Sequence, residues 1–459
     1  MAERVVVIGA DAGGMSAASQ ALRTAKSTGR DLDVVAVDRG HWTSYSACGI
    51  PYWIAGDVAS ADALVARTPE QHRANGIDVR LLTEATAVDT GAGWVEVHDH
   101  AAGRTERLGY DQLIIATGAT PVRPDVPGAE APGIFGVQTL DDGGAVLRAL
   151  GGGRELRRAV VVGAGYIGLE MAEAMVRRGL AVTVVDRGPE PMNTLDPDLG
   201  TQVHAAMENM GMDVVTGAGV TAFETEGDGD GGSGAVRAVV TDAGTFEADI
   251  VVLGTGVRPA TDLARAAGLP LGPTGGLRTD DTQRVADGVW AAGDCVETWD
   301  RVRRDWVHVP LGTHANKQGK VLGTNLGGGS ARFPGIVGTA LTKVCDLELA
   351  RTGLTEGDAV DAGIDHVAVT IESTTRSGYF PGTKPITVKM VAERPTGRLL
   401  GAQIVGRDGS AKRIDVCAMA LWTELTVGEL AMTDLAYAPP FSSVWDPVQV
   451  AARKAADRI

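Results

Sequence analysis

The sequence predicts an α/β body of two related units followed by a C-terminal α+β module. Three observations predict it. Apolar, β-rich runs alternate with helical patterns across the first two thirds of the chain, the grammar of parallel sheets. A strand, a glycine turn, a helix and a second strand recur as a unit, once at the N-terminus and once near residue 160. From about Phe333 the pattern changes to alternating strands that precede a long helical stretch.

The opening unit reads as a strand over Arg4–Ile8, a turn over Gly9–Gly14, a helix over Met15–Lys26 and a strand over Asp33–Val37. A strand beginning at Leu113 runs into a proline-punctuated connection ending at Val126, which reads as a crossing between two domains. The second unit is a strand over Ala159–Val162, a turn over Gly163–Gly168, a helix over Leu169–Arg178 and a strand over Ala181–Val185. The acidic, glycine-rich segment Thr225–Gly234 reads as a surface hairpin loop, and Ile250–Leu253 as a further strand. In the last module, strand patterns (HVAVTIES, ITVKMVAE, LLGAQIVG) lead to helices over Ala411–Leu425 and Pro447–Ala456.

Glycine fills 62 of the 459 positions, close to twice the usual share of about 7%. Neither a three-residue glycine period nor tandem prolines accompany it, which excludes collagen-like and low-complexity chains. The formal net charge of −16 argues against nucleic acid or an anionic membrane as a principal partner. No stretch reaches the ~18 apolar residues of a membrane-spanning helix, and the first residues carry no signal-peptide character. Cys48, Cys295, Cys345 and Cys417 lie far apart and form no CxxC pair. That spacing suits neither a secreted disulfide framework nor a zinc site, so the expectation is a cytoplasmic protein without a metal.

The second glycine turn carries the stronger signal. Gly163, Gly165 and Gly168 satisfy G-x-G-x-x-G between a strand and a helix, and Asp186 closes the next strand. This is the Rossmann-like dinucleotide-binding pattern: glycines let the backbone approach a pyrophosphate at a helix N-terminus, where free N–H groups favour an anion. A carboxylate at Asp186 suits a free ribose 2′-OH and repels a 2′-phosphate, which favours NADH over NADPH; the adjacent Arg187 softens that preference. The first turn, Gly9-Ala-Asp11-Ala-Gly13-Gly14, departs at its middle position, where Asp11 replaces glycine. Gly9 and Gly14 still serve the tight turn and close packing, and Asp38 closes the following strand. Three more strands end in glycine turns, at Ala116-Thr117-Gly118, Gly254-Thr-Gly256 and Gly293-Asp294. An acid placed like Asp294 can bond a polyol or simply cap a helix.

The order of these pieces, with Cys48 set in Ser44-Tyr-Ser-Ala-Cys48-Gly-Ile-Pro-Tyr52, resembles the flavin- and pyridine-nucleotide-dependent disulfide reductase family over nearly the whole chain. Gly378-Tyr379-Phe-Pro-Gly and Tyr437-Ala-Pro-Pro-Phe-Ser-Ser extend the likeness into the last module. Within that family the chain looks most like the coenzyme A-disulfide reductases, whose neighbours are NADH oxidases, NADH peroxidases and persulfide reductases. The resemblance implies an FAD-binding domain over 1–150 and 256–330, an NAD(P)H-binding domain over 151–255, and a dimerisation domain over 331–459, hence a homodimer. FAD would lie along Gly9, Gly13, Gly14, Asp38, Arg39, Val88, Ala116, Thr117, Gly118 and Asp294. NADH, or NADPH, would lie along Gly163, Gly165, Tyr166, Ile167, Gly168, Glu170, Asp186 and Gly256, with Tyr166 and Glu170 lining the nicotinamide channel.

Glutathione-reductase-like members use a dithiol. Thr43 stands where its first cysteine would be, so Cys48 works alone. Cys48 opens a predicted helix, whose positive end is expected to lower the thiol pKa, while Gly49 keeps the approach to a flat ring open. Cys345 and Cys417 read as apolar core, and Cys295 as packing near the flavin tail. In the implied cycle NADH reduces FAD, the flavin reduces oxidised Cys48, and the thiolate attacks a small disulfide or persulfide, foremost coenzyme A disulfide. Tyr379 and Tyr437 match paired tyrosines that a partner subunit brings to the site, where a phenol can supply a proton. Ser16, Gln20, Arg23, Ser44 and His314 resemble residues around coenzyme A, whereas Ala47 and Trp445 depart from the family's Asn and Lys. Two other activities stay open. One is an NADH oxidase or peroxidase cycling through a cysteine sulfenic acid, against which stands Ala12 in place of a histidine. The other is a redox sensor or electron-transfer flavoprotein without thiol turnover.

Overall fold

The computed structural model describes residues 2–227 and 234–459. Strand Glu3–Ile8 lies inside a six-stranded sheet, parallel to Leu32–Val37 on one side and to Gln112–Ile115 on the other. Ile77–Arg80 extends one edge; Val289–Ala291 and Arg284–Ala286 extend the other. The chain thus leaves this sheet after Ile115 and returns at Arg284. Val5, Val6 and Val7 are completely buried, as an unbroken β-branched run must be when both sheet faces are covered.

Helices Ala12–Thr28 and Gly312–Leu326 cross on one another beside this sheet. A Cβ on Gly319 would collide with the backbone oxygen of Gly13, and one on Gly323 with that of Ala17. One share of the glycine excess is therefore a helix crossing too close for side chains.

The second sheet has five parallel strands, in the order Asp213–Val215, Ala181–Val185, Arg158–Val162, Ile250–Leu253 and Ile134–Gly136. Ile134–Gly136 precedes the expected border at residue 151, so the second body begins earlier than the sequence indicated. Three residues are too few to show a readable period. Of the expected hairpin loop at Thr225–Gly234, residues 228–233 lie outside the described residues; the flanking strands Val220–Thr225 and Val236–Thr241 pair antiparallel.

The third sheet is antiparallel, in the order Ala340–Val344, Leu347–Gly353, Leu399–Gly406, Pro385–Glu393 and His366–Thr374. Helices Ile414–Trp422 and Pro447–Ala456 pack on it; the expected Ala411–Leu425 helix is shorter, with a 3₁₀ turn over Ala411–Arg413 before it. Buried Lys389 ties this sheet to the second body. Its Nζ lies 3.3 Å from Asp196, 2.9 Å from Asp198 and 2.8 Å from Glu356. Asp196 also accepts the Glu356 and Gly357 N–H groups and the Gln403 amide. Burial alone would lower the Lys389 pKa, but these carboxylates push it up to about 12. Among the described residues no helix is long and apolar enough to cross a membrane.

Candidate active site

The two glycine turns are built alike. Gly9 and Gly163 hold φ of 102° and 98°, a region that side chains rarely adopt. A Cβ on Gly14 would strike the carbonyl of Gly9, and one on Gly168 that of Gly163. Each turn also abuts a second one: a Cβ on Gly9 would strike Ala116, and on Gly163, Gly254. The acids match as well. Asp38 accepts the N–H groups of Ala10 and Gly40, both at 2.8 Å, while Asp186 accepts those of Ala164 and Gly188, both at 2.6 Å. Above Gly118, Gly165 and Gly256 a Cβ would meet no other part of the protein within 4 Å, so the backbone there faces open space. These residues fit two dinucleotides.

Asp11 occupies the middle position without strain, because that position is extended in both copies (φ −123° at Asp11, −81° at Gly165) and needs no glycine for its backbone. Its Oδ1 accepts the Tyr45 N–H at 3.1 Å, pinning the thiol loop to the first turn. Burial, with the negative charges of Asp38 and Asp294 adding to it, pushes its pKa up to about 7. Thr43 pins the same loop, donating to the Ala10 carbonyl at 2.6 Å.

Cys48 is exposed and sits in a 3₁₀ turn, Ala47–Gly49, ahead of the short helix Ile50–Ala55. The expected low thiol pKa is corrected. Partial burial, then the carboxylates of Glu170 and Asp294, hold it above the ordinary range. Gly49 also differs from expectation: the space above it is taken by Leu64. Cys295 and Cys417 are buried, whereas Cys345 is only half-buried, with its sulfur 3.0 Å from that of Met210.

Glu170 rises from the second turn of helix Tyr166–Arg177 and accepts the Thr342 hydroxyl at 2.6 Å. Tyr52 lies near the same carboxyl, and its pKa is pushed up to about 12 by burial and by the charges of Glu170 and Glu173. Tyr166 and Ile167 are half-buried and pack on the core beneath this helix. Neither Tyr52 nor Thr342 was singled out by the sequence. Tyr52 lay in the quoted cysteine motif, but Thr342 is 172 residues from its partner and left no local signal.

Of the remaining expected residues, Thr117 donates to the Ala260 carbonyl, Asp294 receives the His308 ring at its own carbonyl, and Arg39 is exposed beyond Asp38. Val88 packs half-buried on the core of the first sheet, from strand Thr83–Asp89. Ser16, Gln20 and Arg23 share one face of helix Ala12–Thr28, where Ser16 bonds Asn316 and Arg23 bonds Gln20. Ser44 bonds His72, and His314 is buried against the Val309 carbonyl, with burial lowering its pKa. Tyr379 and Tyr437 point to solvent, 77% and 46% exposed, beside exposed Phe441, Val444 and Trp445. Their loops are joined by hydrogen bonds from Ser377 to Pro439 and Ser442. Among the described residues no group of three or more His, Cys, Asp or Glu is arranged to hold a metal ion.

Comparison with known proteins decides what this arrangement is. A family profile described as pyridine nucleotide-disulphide oxidoreductase matches residues 3–319, and that of the family's dimerisation domain matches residues 339–448. The chain belongs to the pyridine nucleotide-disulphide oxidoreductase family. Members are FAD-dependent and draw electrons from NAD(P)H, and this oxidoreductase is an enzyme of that kind. It is 37% identical to an NAD(P)H coenzyme A polysulfide/persulfide reductase of Pyrococcus horikoshii, over 99% of this chain and 98% of that protein. It is 35% identical to an NADH oxidase of Methanocaldococcus jannaschii, over 99% of each. Among solved structures, an NAD-dependent persulfide reductase from A. fulgidus superposes with a TM-score of 0.93 at 36% identity, covering 99% of this chain and 83% of that one.

Proposed function

We propose that this oxidoreductase uses NADH to reduce a small disulfide or persulfide of the coenzyme A class through Cys48. One observation carries the reading. Cys48 is the exposed thiol among four free cysteines, on a loop that Asp11 and Thr43 pin to the first glycine turn, facing Glu170 of the nucleotide helix.

The first turn, with Gly9, Gly13, Gly14, Asp38, Ala116, Thr117, Gly118 and Asp294, would hold FAD. Bound there, FAD supplies a two-electron path between nucleotide and thiol. The second turn, with Gly163, Gly165, Gly168 and Asp186, would hold NADH, and both oxygens of Asp186 stand where a 2′-phosphate would be repelled. Cys48 thiolate attacks one sulfur of RS–SR′, forms Cys48–S–S–R and expels R′S⁻. Two electrons from NADH and one proton then cleave that bond, releasing RSH and leaving Cys48 as thiolate. The net reaction is NADH + H⁺ + RSSR′ → NAD⁺ + RSH + R′SH. Ser16, Gln20, Arg23 and Ser44 line the helix face and loop where the thiol's polar body would rest, and His314 backs them from the interior. Tyr379 and Tyr437, exposed in one chain, would complete the site of the other subunit in a cytoplasmic homodimer.

Cys48→Ser is expected to abolish NADH-driven disulfide turnover; turnover that survives it refutes the thiol mechanism. Intact-mass analysis of purified protein separates the oxidase reading, which the relatedness to an NADH oxidase favours. A reductant-sensitive adduct of coenzyme A mass on Cys48 supports the reductase; a gain of one or two oxygens supports the oxidase.

A further inference from the structure

Asp11 stands where the turn pattern has its middle glycine, and it is the N-cap residue of helix Ala12–Thr28. An acid at an N-cap ordinarily turns back to bond the first N–H groups of its own helix. Asp11 makes no such cap bond; its Oδ1 instead accepts the Tyr45 N–H of the thiol loop at 3.1 Å. The helix end is left to another anion. In a Rossmann-like turn that anion is the diphosphate of the dinucleotide.

Asp11 is therefore an acid beside a place for further negative charge, and its surroundings are already negative. Asp38, just past strand Leu32–Val37, and Asp294, past strand Val289–Ala291, both act on it. The Tyr45 phenol on the thiol loop feels the charge of Asp11 in turn. The His308 ring bonds the Asp294 carbonyl at 2.8 Å and offsets the charge of that acid. The Tyr45 and Ala12 N–H groups favour the Asp11 anion, but burial and the two acids outweigh them and push its pKa up to about 7. A diphosphate at the helix end adds like charge and raises that value further.

We propose that Asp11 takes up a proton when FAD binds, so that the flavin is held over a neutral carboxyl and its affinity falls as pH rises. This goes beyond the substrate reading above and rests only on the first turn's holding FAD. It explains how an acid is tolerated at the phosphate end of a flavin site: its charge is removed as the cofactor arrives. Below a pH of about 7 Asp11 already carries its proton and FAD binds at full affinity. Above it each FAD must draw a proton with it, and affinity falls by up to about tenfold per pH unit.

The test is calorimetric titration of the full-length, flavin-free protein with FAD at pH 6 and pH 8, in two buffers of different ionisation enthalpy. Wild type should bind about tenfold more weakly at pH 8 than at pH 6, taking up about one proton at pH 8 and about a tenth of one at pH 6. Asp11→Asn keeps an oxygen for the Tyr45 N–H. It should bind FAD at both pH values within about twofold of wild type at pH 6, and take up less than about a third of a proton at pH 8. Wild-type affinity and proton uptake that do not change with pH overturn the proposal. So does an Asp11→Asn protein that keeps the wild-type pH dependence, which would put the proton on Asp294 or His308, and so does one that binds no FAD. Wild type that binds no FAD at either pH would instead overturn the flavin reading of the first turn.

Discussion

Replacing Asp11 with asparagine should stabilise the flavin-free protein, and more so as pH rises. Asp11 titrates at about 7 in the folded chain against an ordinary value of 3.8, chiefly because it is buried and then because Asp38 and Asp294 face it. The folded state therefore binds the proton more tightly than the unfolded state, and ionisation costs stability. That cost is absent below pH 3.8, grows between 3.8 and about 7, and stays constant above. A difference of about three pH units is worth about 4 kcal/mol at pH 8, and about 2 kcal/mol at pH 5, where only part of the window has been crossed. Asparagine keeps an oxygen for the Tyr45 N–H, so the charge is the main thing removed. Urea unfolding of the flavin-free wild type and Asp11→Asn at the two pH values measures both gains. A gain equal at pH 5 and pH 8, or a loss at pH 8, would refute the electrostatic reasoning.

Two further outcomes follow from the packing. Lys389→Met leaves Asp196 buried against Asp198 and Glu356 with no cation between them, and should cost about 3–5 kcal/mol in chemical denaturation. Gly168→Ala drives a methyl into the Gly163 carbonyl and should weaken NADH binding by about tenfold or more while flavin content stays at the wild-type level; equal loss of both cofactors would mean that the two turns are not independent.

The parallel strands and both glycine turns were legible because each is a local pattern: a buried β-branched run, then backbone that only glycine permits. Helix Pro447–Ala456 was legible to the residue, with Pro447 at its first position and Asp446 capping it. What escaped the sequence depends on partners far along the chain. Ile134–Gly136 is a strand only because Ile250–Leu253 lies beside it. The raised Cys48 thiol comes from burial and from Glu170 and Asp294, over a hundred residues away. Asp11 broke the expected glycine pattern without breaking the turn, since its backbone is extended there.

The interrupted first sheet and its glycine-lined helix crossing also set an order of assembly. Residues 134–253 supply every strand of the second sheet from one continuous stretch, so that body can fold as soon as it leaves the ribosome. The first sheet waits for Val289–Ala291, and helix Ala12–Thr28 waits for Gly319 and Gly323 to close on it. A cradle begun by the first dozen residues is thus among the last parts of the two α/β bodies to be completed during synthesis.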